Sequence, residues 1–116
     1  MTEPEEPPMS RTVLMDVPLA VPAGTERVQA RRISMRPGVA SGAHVHNCPV
    51  VGSIVAGSVV YQVAGEPARM LGPGDVFVEP AGVPVARFDA QDDGAVFLAY
   101  FLLRDGEEPA ITGVDG

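Results

Sequence analysis

Apolar positions along this chain come in short runs broken by glycine and proline, and no stretch from Arg11 to Leu103 repeats them at helical spacing. Valine dominates the runs, as suits a pleated and half-buried backbone. The pattern predicts strands over Thr12–Val17, Arg27–Met35, Ala43–His46, Val50–Ala56, Ser58–Val63, Ala68–Leu71, Asp75–Val78, Val85–Asp89 and Ala95–Leu103. Gly57-Ser58 and Ala64-Gly65 read as hairpin turns. Arg36-Pro37-Gly38, Gly72-Pro73-Gly74 and Pro80-Ala81-Gly82 read as loops. Many short strands at such spacing indicate an all-β sandwich or a closed barrel, and periodicity alone does not choose between them.

The flanks read differently. Residues 1–10 hold Glu3, Glu5 and Glu6 among Pro4, Pro7 and Pro8, a composition that predicts a disordered acidic tail. Residues 104–116 are acidic and glycine-rich and read as a second, weakly ordered tail, with Ile111 and Val114 as the residues able to dock. That leaves one β-domain over residues 11–103, with no internal repeat.

Composition narrows the function classes. A chain of 116 residues builds one core without needing disulfides. Its net charge of −7 comes from 15 acids and 8 bases, and every base is arginine. An acidic chain without a basic run excludes nucleic acid and anionic membrane as main partners. The absence of lysine removes side-chain Schiff-base chemistry. Cys48 is the one cysteine, so no internal disulfide forms and a reducing cytoplasm is expected. No apolar run reaches membrane-spanning length, and the acidic, proline-rich start does not read as a secretory leader.

Candidate chemistry centres on His44-Val45-His46. On a strand, residues two apart share a face, so the two imidazoles start a metal site or an acid/base pair. There is no third histidine, so carboxylates, Cys48 or water must complete any metal shell. Glu79 stands at a strand end just before Pro80-Ala81-Gly82, either turned inward as a ligand or facing solvent. Cys48 continues the alternation of His44 and His46, although Pro49 breaks a strand just there; otherwise it is a small buried residue.

Other candidates come from the strand at Val85. Arg87 and Asp89 alternate with that residue, so an inward Val85 would turn Arg87 inward to anchor a carboxylate, phosphate or enolate. A shift of one residue instead puts Ala86 and Phe88 inside and both charges in solvent. Tyr61, Gln62 and Tyr100 offer polar tips to a cavity or pack with those tips satisfied. Arg31, Arg32 and Arg36 form a basic stretch, read as a solvated or interface face. No nucleophile elbow, phosphate loop, dinucleotide fingerprint or zinc ribbon is present.

Two spaced motifs give a resemblance. Gly38, five residues, His44-Val45-His46, three residues, position 50, six residues and Gly57 form the first. Gly74, five residues, Pro80-Ala81-Gly82, two residues, position 85, three residues and position 89 form the second. Together they resemble the two motifs of the cupin superfamily, across nearly all of the structured middle. The resemblance implies a single cupin domain, a jelly-roll-like antiparallel β-barrel. It also implies a metal held by three histidines and one glutamate. Here Val50 stands where the glutamate would be, Val85 where the third histidine would be, and Asp89 in place of an asparagine. Phe77-Val78-Glu79-Pro80-Ala81-Gly82 is similar to a Phe-x-Glu-Pro-Pro-Gly run of a small-cupin subgroup, which makes Glu79 the candidate replacement ligand.

The resemblance implies a barrel that binds a small, largely apolar organic molecule. An isomerase- or cyclase-type enzyme is expected, using His44, His46 and Glu79 for acid/base chemistry or a weakly held divalent metal (Zn, Fe, Mn or Ni), or no metal at all. A non-catalytic binding module and a metal-dependent oxygenase are the alternatives, and a structural cupin without chemistry ranks last. An inward Glu79 or Arg87 beside the histidines favours an enzyme over a binding module. Cupins commonly pair, so a homodimer formed through Thr12–Val17 is expected.

Overall fold

Two long antiparallel strands carry the architecture. In the computed structural model, which describes residues 7–114, β3 (Val50–Val63) and β6 (Val85–Arg104) pair from Val50 opposite Phe101 to Val63 opposite Val85. Five shorter strands attach to this pair: β1 (Thr25–Met35), β2 (His44–His46), β4 (Arg69–Leu71), β5 (Val76–Glu79) and β7 (Ile111–Gly113). The described residues contain no helix, and the strand pairs are antiparallel.

The attachments divide each long strand in two. β1 runs along the C-terminal half of β6 and β5 along the N-terminal half of β3. β4 lies on the C-terminal half of β3, while β2 meets β6 at His44 opposite Val85 and carries β7 on its other edge. Both long strands therefore pass from one sheet into the other, and the result is an all-β jelly roll.

The bend is visible in which side chains are buried. On β3, Val50, Gly52 and Ile54 face inward, and beyond Gly57 the inward set becomes Val59 and Tyr61. Even-numbered positions give way to odd ones because register shifts insert extra residues on both sides of Ala56-Gly57. The same happens on β6, where Gln62 faces Arg87 and Val63 faces Val85, so that Ala86 bulges. Val85 and Phe88 are thus both buried, at 1% and 4% exposure, although strict alternation would choose between them.

At the bend the backbones touch. Gly57 has a φ of +75°, and a Cβ there would stand 2.0 Å from the carbonyl oxygen of Gly94, itself at φ +68°. Gly57-Ser58 is therefore not the expected hairpin turn but a bulge within one continuous strand, and the strands expected at Val85–Asp89 and Ala95–Leu103 are likewise one. Ala64-Gly65 does form a turn, between β3 and β4. Phe77, Phe88 and Phe97 join the two sheets, with ring centroids 5.2 Å apart for Phe77 and Phe88 and 4.9 Å for Phe88 and Phe97.

The flanks complete the picture. Residues 1–6 of the expected tail lie outside the described residues, and Pro7–Ser10 carry no strand. Thr12–Val17 forms no strand either, and Val13 and Leu14 are 79% and 66% exposed. Pro18 and Pro22 separate it from β1, and the described ladder of β1 runs to β6 alone. In the segment read as the C-terminal tail, Ile111–Gly113 form β7, with His46 opposite Ile111. Asn47 fastens that segment: its Oδ1 accepts from the Ala110 amide at 2.8 Å, and its Nδ2 donates to the Glu108 carbonyl at 2.9 Å.

Gly57→Ala should destabilise the fold by about 3 kcal/mol, combining a left-handed backbone with a backbone clash. Gly65→Ala, at φ +83° with open space around it, should cost only about 1 kcal/mol. Urea midpoints of the two variants check this, and equal losses would refute the close approach at Gly57.

Candidate metal centre

β2 exists because two neighbours complete it. Three residues make a weak strand alone, but His44, Val45 and His46 pair with Gly113, Thr112 and Ile111, and His44 also faces Val85 on β6. Both imidazoles then lie on the barrel side, with centroids 4.9 Å apart and planes at 87°. His44 Nδ1 is 2.8 Å from the Gly42 carbonyl oxygen, which can only accept a hydrogen bond. The proton therefore sits on Nδ1, and Nε2 is the nitrogen turned towards the cavity.

Glu79 comes from the opposite sheet. On β5, Phe77 and Glu79 are the buried pair and Val76 and Val78 the less buried one. Glu79 is 3% exposed, its Oε2 lies 3.9 Å from His44 Nε2, and it contacts His46 Nε2 directly. Its cross-strand partner is Val50. The cupin resemblance implies a glutamate at position 50; here the inward carboxylate stands on the residue opposite, on the next strand.

The electrostatics follow from this arrangement. Interaction with Glu79 raises the His44 pKa above its usual value, against the opposing effect of burial, and the Gly42 carbonyl adds to the rise. Burial alone would raise the Glu79 carboxyl, but its interactions with His44 and His46 outweigh burial and hold it below the usual carboxylate value. The two histidines thus favour the ionised form of Glu79.

The ligand atoms of His44, His46 and Glu79 all lie within 4.8 Å of one another. Donors bonded to one cation at about 2.0–2.2 Å stand some 3–4 Å apart, so this set fits a divalent metal with small movements. Two imidazoles and a carboxylate leave open coordination positions, a set shared by hydrolytic zinc sites and non-haem iron sites.

These side chains line a cavity of about 330 Å³ that is otherwise largely apolar, with Ile33, Met35, Phe97 and Phe101 among its walls. Exposed lining residues, Arg31 and Ala110 among them, mark its mouth. The C-terminal segment contributes Pro109, Ala110 and Ile111 to that wall.

Four sequence candidates fall elsewhere. Cys48 is fully buried in the core and outside the ligand group, because β2 ends at His46 and the chain bends before Pro49. Burial also pushes its thiol pKa up, away from the thiolate a metal needs. Arg87 is on the outer face, ion-paired with Asp89 at 2.9 Å, since the Ala86 bulge turns Phe88 inward instead. Tyr61 is buried, its hydroxyl donating to the Val78 carbonyl at 3.0 Å, and burial raises its pKa; it braces β5 rather than lining the cavity. Tyr100 is 39% exposed, opposite Ala30 on the outer face. The lining residue that sequence reasoning assigned to a solvated face is Arg31, and its alternation with Ile33 and Met35 is the signal that places it.

No family model and no curated protein sequence matches the chain. Solved structures do. The DMSP lyase DddQ from Ruegeria pomeroyi DSS-3 is 26% identical with a TM-score of 0.64, over 72% of this chain and 42% of that one. Oxalate oxidase in complex with the substrate analogue glycolate is 22% identical at TM-score 0.63, over 75% and 46%. Oxalate decarboxylase from Bacillus subtilis is 22% identical at TM-score 0.67, over 78% and 24%, and that protein carries Mn(II) centres. This chain spans less than half the length of each of these proteins. All three are cupin-fold proteins, and the chain has the cupin fold.

Manganese or zinc added to chelator-treated protein should bind at one equivalent and raise Tm by on the order of 10 °C at a hundredfold excess over Kd. His46→Ala and Glu79→Gln should each abolish that shift. Elemental analysis with thermal melts checks it, and a shift that survives both substitutions would move the metal elsewhere.

Proposed function

We propose that this cupin-fold chain is a metal-assisted enzyme that moves a proton on a small, largely apolar molecule carrying a carbonyl or carboxylate group. Isomerisation, cyclisation and elimination all begin with such a step. The observation that carries the reading is the Glu79 carboxyl group, buried and in contact with His46 at the inner wall of an apolar cavity. A buried carboxylate is costly to keep in a core, and a pure binding pocket for apolar ligands does not need one.

Each residue has a part. Glu79 meets His46 Nε2 through Oε2, which leaves its second carboxylate oxygen to take a proton from the substrate. His44, fixed through Nδ1 by the Gly42 carbonyl, presents Nε2 to the same space. The apolar walls exclude water and raise the strength of both interactions. His44, His46 and Glu79 would hold a divalent cation, which would supply Lewis-acid polarisation of a substrate oxygen. The DMSP lyase and oxalate decarboxylase among the structural neighbours support chemistry of this kind in such a barrel.

The reading includes a homodimer in a reducing cytoplasm. The exposed apolar arm with Val13, Leu14 and Val17 is a surface for a second copy, and the unpaired Cys48 suits that compartment. Light scattering should give a mass near twice 12.1 kDa, and a monomer would refute the pairing.

For the chemistry, metal-loaded protein is incubated in heavy water with small keto acids and β-substituted carboxylates, and exchange or elimination is followed by NMR. Turnover should fall by at least about a hundredfold in Glu79→Gln, the scale of a lost acid/base group. Tight ligand binding with no exchange or turnover in any metal-loaded form would favour the non-catalytic module.

A further inference from the structure

We infer that Arg31 anchors a carboxylate at the cavity mouth, so that the cavity takes a small monoanion with an apolar body. This inference rests on the reading of the cavity as a substrate site. Along β1 the odd-numbered residues are the less exposed ones except at Arg31, which is exposed and lines the cavity mouth; Arg27 and Arg31 are the two arginines of this set. Arg27 is committed: it donates to the Glu107 carbonyl and lies 3.8 Å from the Glu108 carboxylate. Arg31 makes no ion pair among the described residues; its Nε donates to Gln29 Oε1 at 2.6 Å.

The guanidinium of Arg31 is stacked and accessible. It lies 5.1 Å over the Phe101 ring, and that ring lies 6.4 Å from the His46 imidazole. One aromatic side chain thus separates the cation at the mouth from the histidines within. Across the ladder from Arg31 stands Ala99, whose methyl leaves room in front of the guanidinium. Ile33 and Met35 continue the same strand face inward and are apolar.

Two polar ends and an apolar middle describe the ligand. A planar guanidinium matches a carboxylate in a bidentate fork, and stacking on Phe101 fixes its plane. The whole chain carries −7, so its general field repels anions. An unneutralised guanidinium facing the cavity reverses that field locally. The opposite end of the ligand meets His44, His46 and Glu79. A cavity of about 330 Å³ is at the lower end of the roughly 300–1,000 Å³ range of ligand sites, which limits the body to a short chain or one ring.

The test compares linear carboxylates from butanoate to octanoate with their primary amides. Each is titrated by NMR into zinc-loaded and into chelator-treated protein. In both forms the wild type should bind the best carboxylate at least about tenfold more tightly than its amide, the scale of one charged hydrogen-bonded pair. Arg31→Met should erase that preference and leave amide affinity within about twofold, a split that loss of packing alone does not produce. Arg31→Lys should keep part of it, and Arg31→Gln serves as the neutral variant should Arg31→Met fail to fold. Absence of carboxylate binding, or a preference that survives loss of the charge, overturns the inference. So does a preference that disappears on chelation, which would put the carboxylate on the metal. Zinc content of each variant keeps the readings apart: no bound zinc in the wild type defeats the metal site, while the chelated titrations still decide Arg31.

Discussion

The fold depends on the point where β3 and β6 bend against each other. Gly57 and Gly94 bring the two backbones so close that a single methyl group cannot be placed between them. Everything else follows from that bend. Below it the long pair joins β1 and β5; beyond it the same pair joins β4 and β2, and β2 carries β7. The site needs both halves, because the histidines come from β2 and the carboxylate from β5. A straight ladder would hold them apart on one sheet, and only the closed jelly roll brings donors from two sheets within 4.8 Å.

Much of this was legible in the sequence, for definite reasons. Strand periodicity and paired motifs gave the barrel, and alternation correctly put His44 and His46 on one face. Two of the open points share one cause. Alternation assumes an unbroken period of two, and a bulge resets it. The bulge at Ala86 let Val85 and Phe88 both face inward, which sent Arg87 outside. The break in parity at Gly57 looked like a turn because a continuous strand rarely buries even and then odd positions. Glu79 was ambiguous from sequence because a strand end has no further residues to fix its phase. Arg31 is solvated, as its basic stretch suggests, and its sequence spacing to Ile33 and Met35 is the signal that it also lines the cavity mouth.

The placing of the carboxylate at Glu79 rather than position 50 has a simple geometric basis. Position 50 and position 79 are cross-strand partners, so their side chains emerge side by side on the inner face. Moving a glutamate from one to the other changes the strand that carries it but not the space it enters. Val50 then fills the vacated volume with a buried apolar side chain, 2% exposed. The exchange works only because the partner strand also turns its residue inward at that register; a shift of one would put the carboxylate in solvent.

The loss at position 85 has the opposite character, and it sets the chemistry. Val85 faces His44 across the ladder and is 1% exposed, so no donor has replaced the imidazole that the cupin pattern expects there. Two imidazoles and one carboxylate remain around the site. Neutral imidazoles would offset none of a dication's charge, so a cation held by these residues would keep a net positive charge beside the single carboxylate. Fewer protein donors mean weaker metal retention, and they also mean more positions open to substrate oxygens. With Arg31 at the mouth, both ends of the cavity then favour anionic oxygen, while the walls between them favour hydrocarbon.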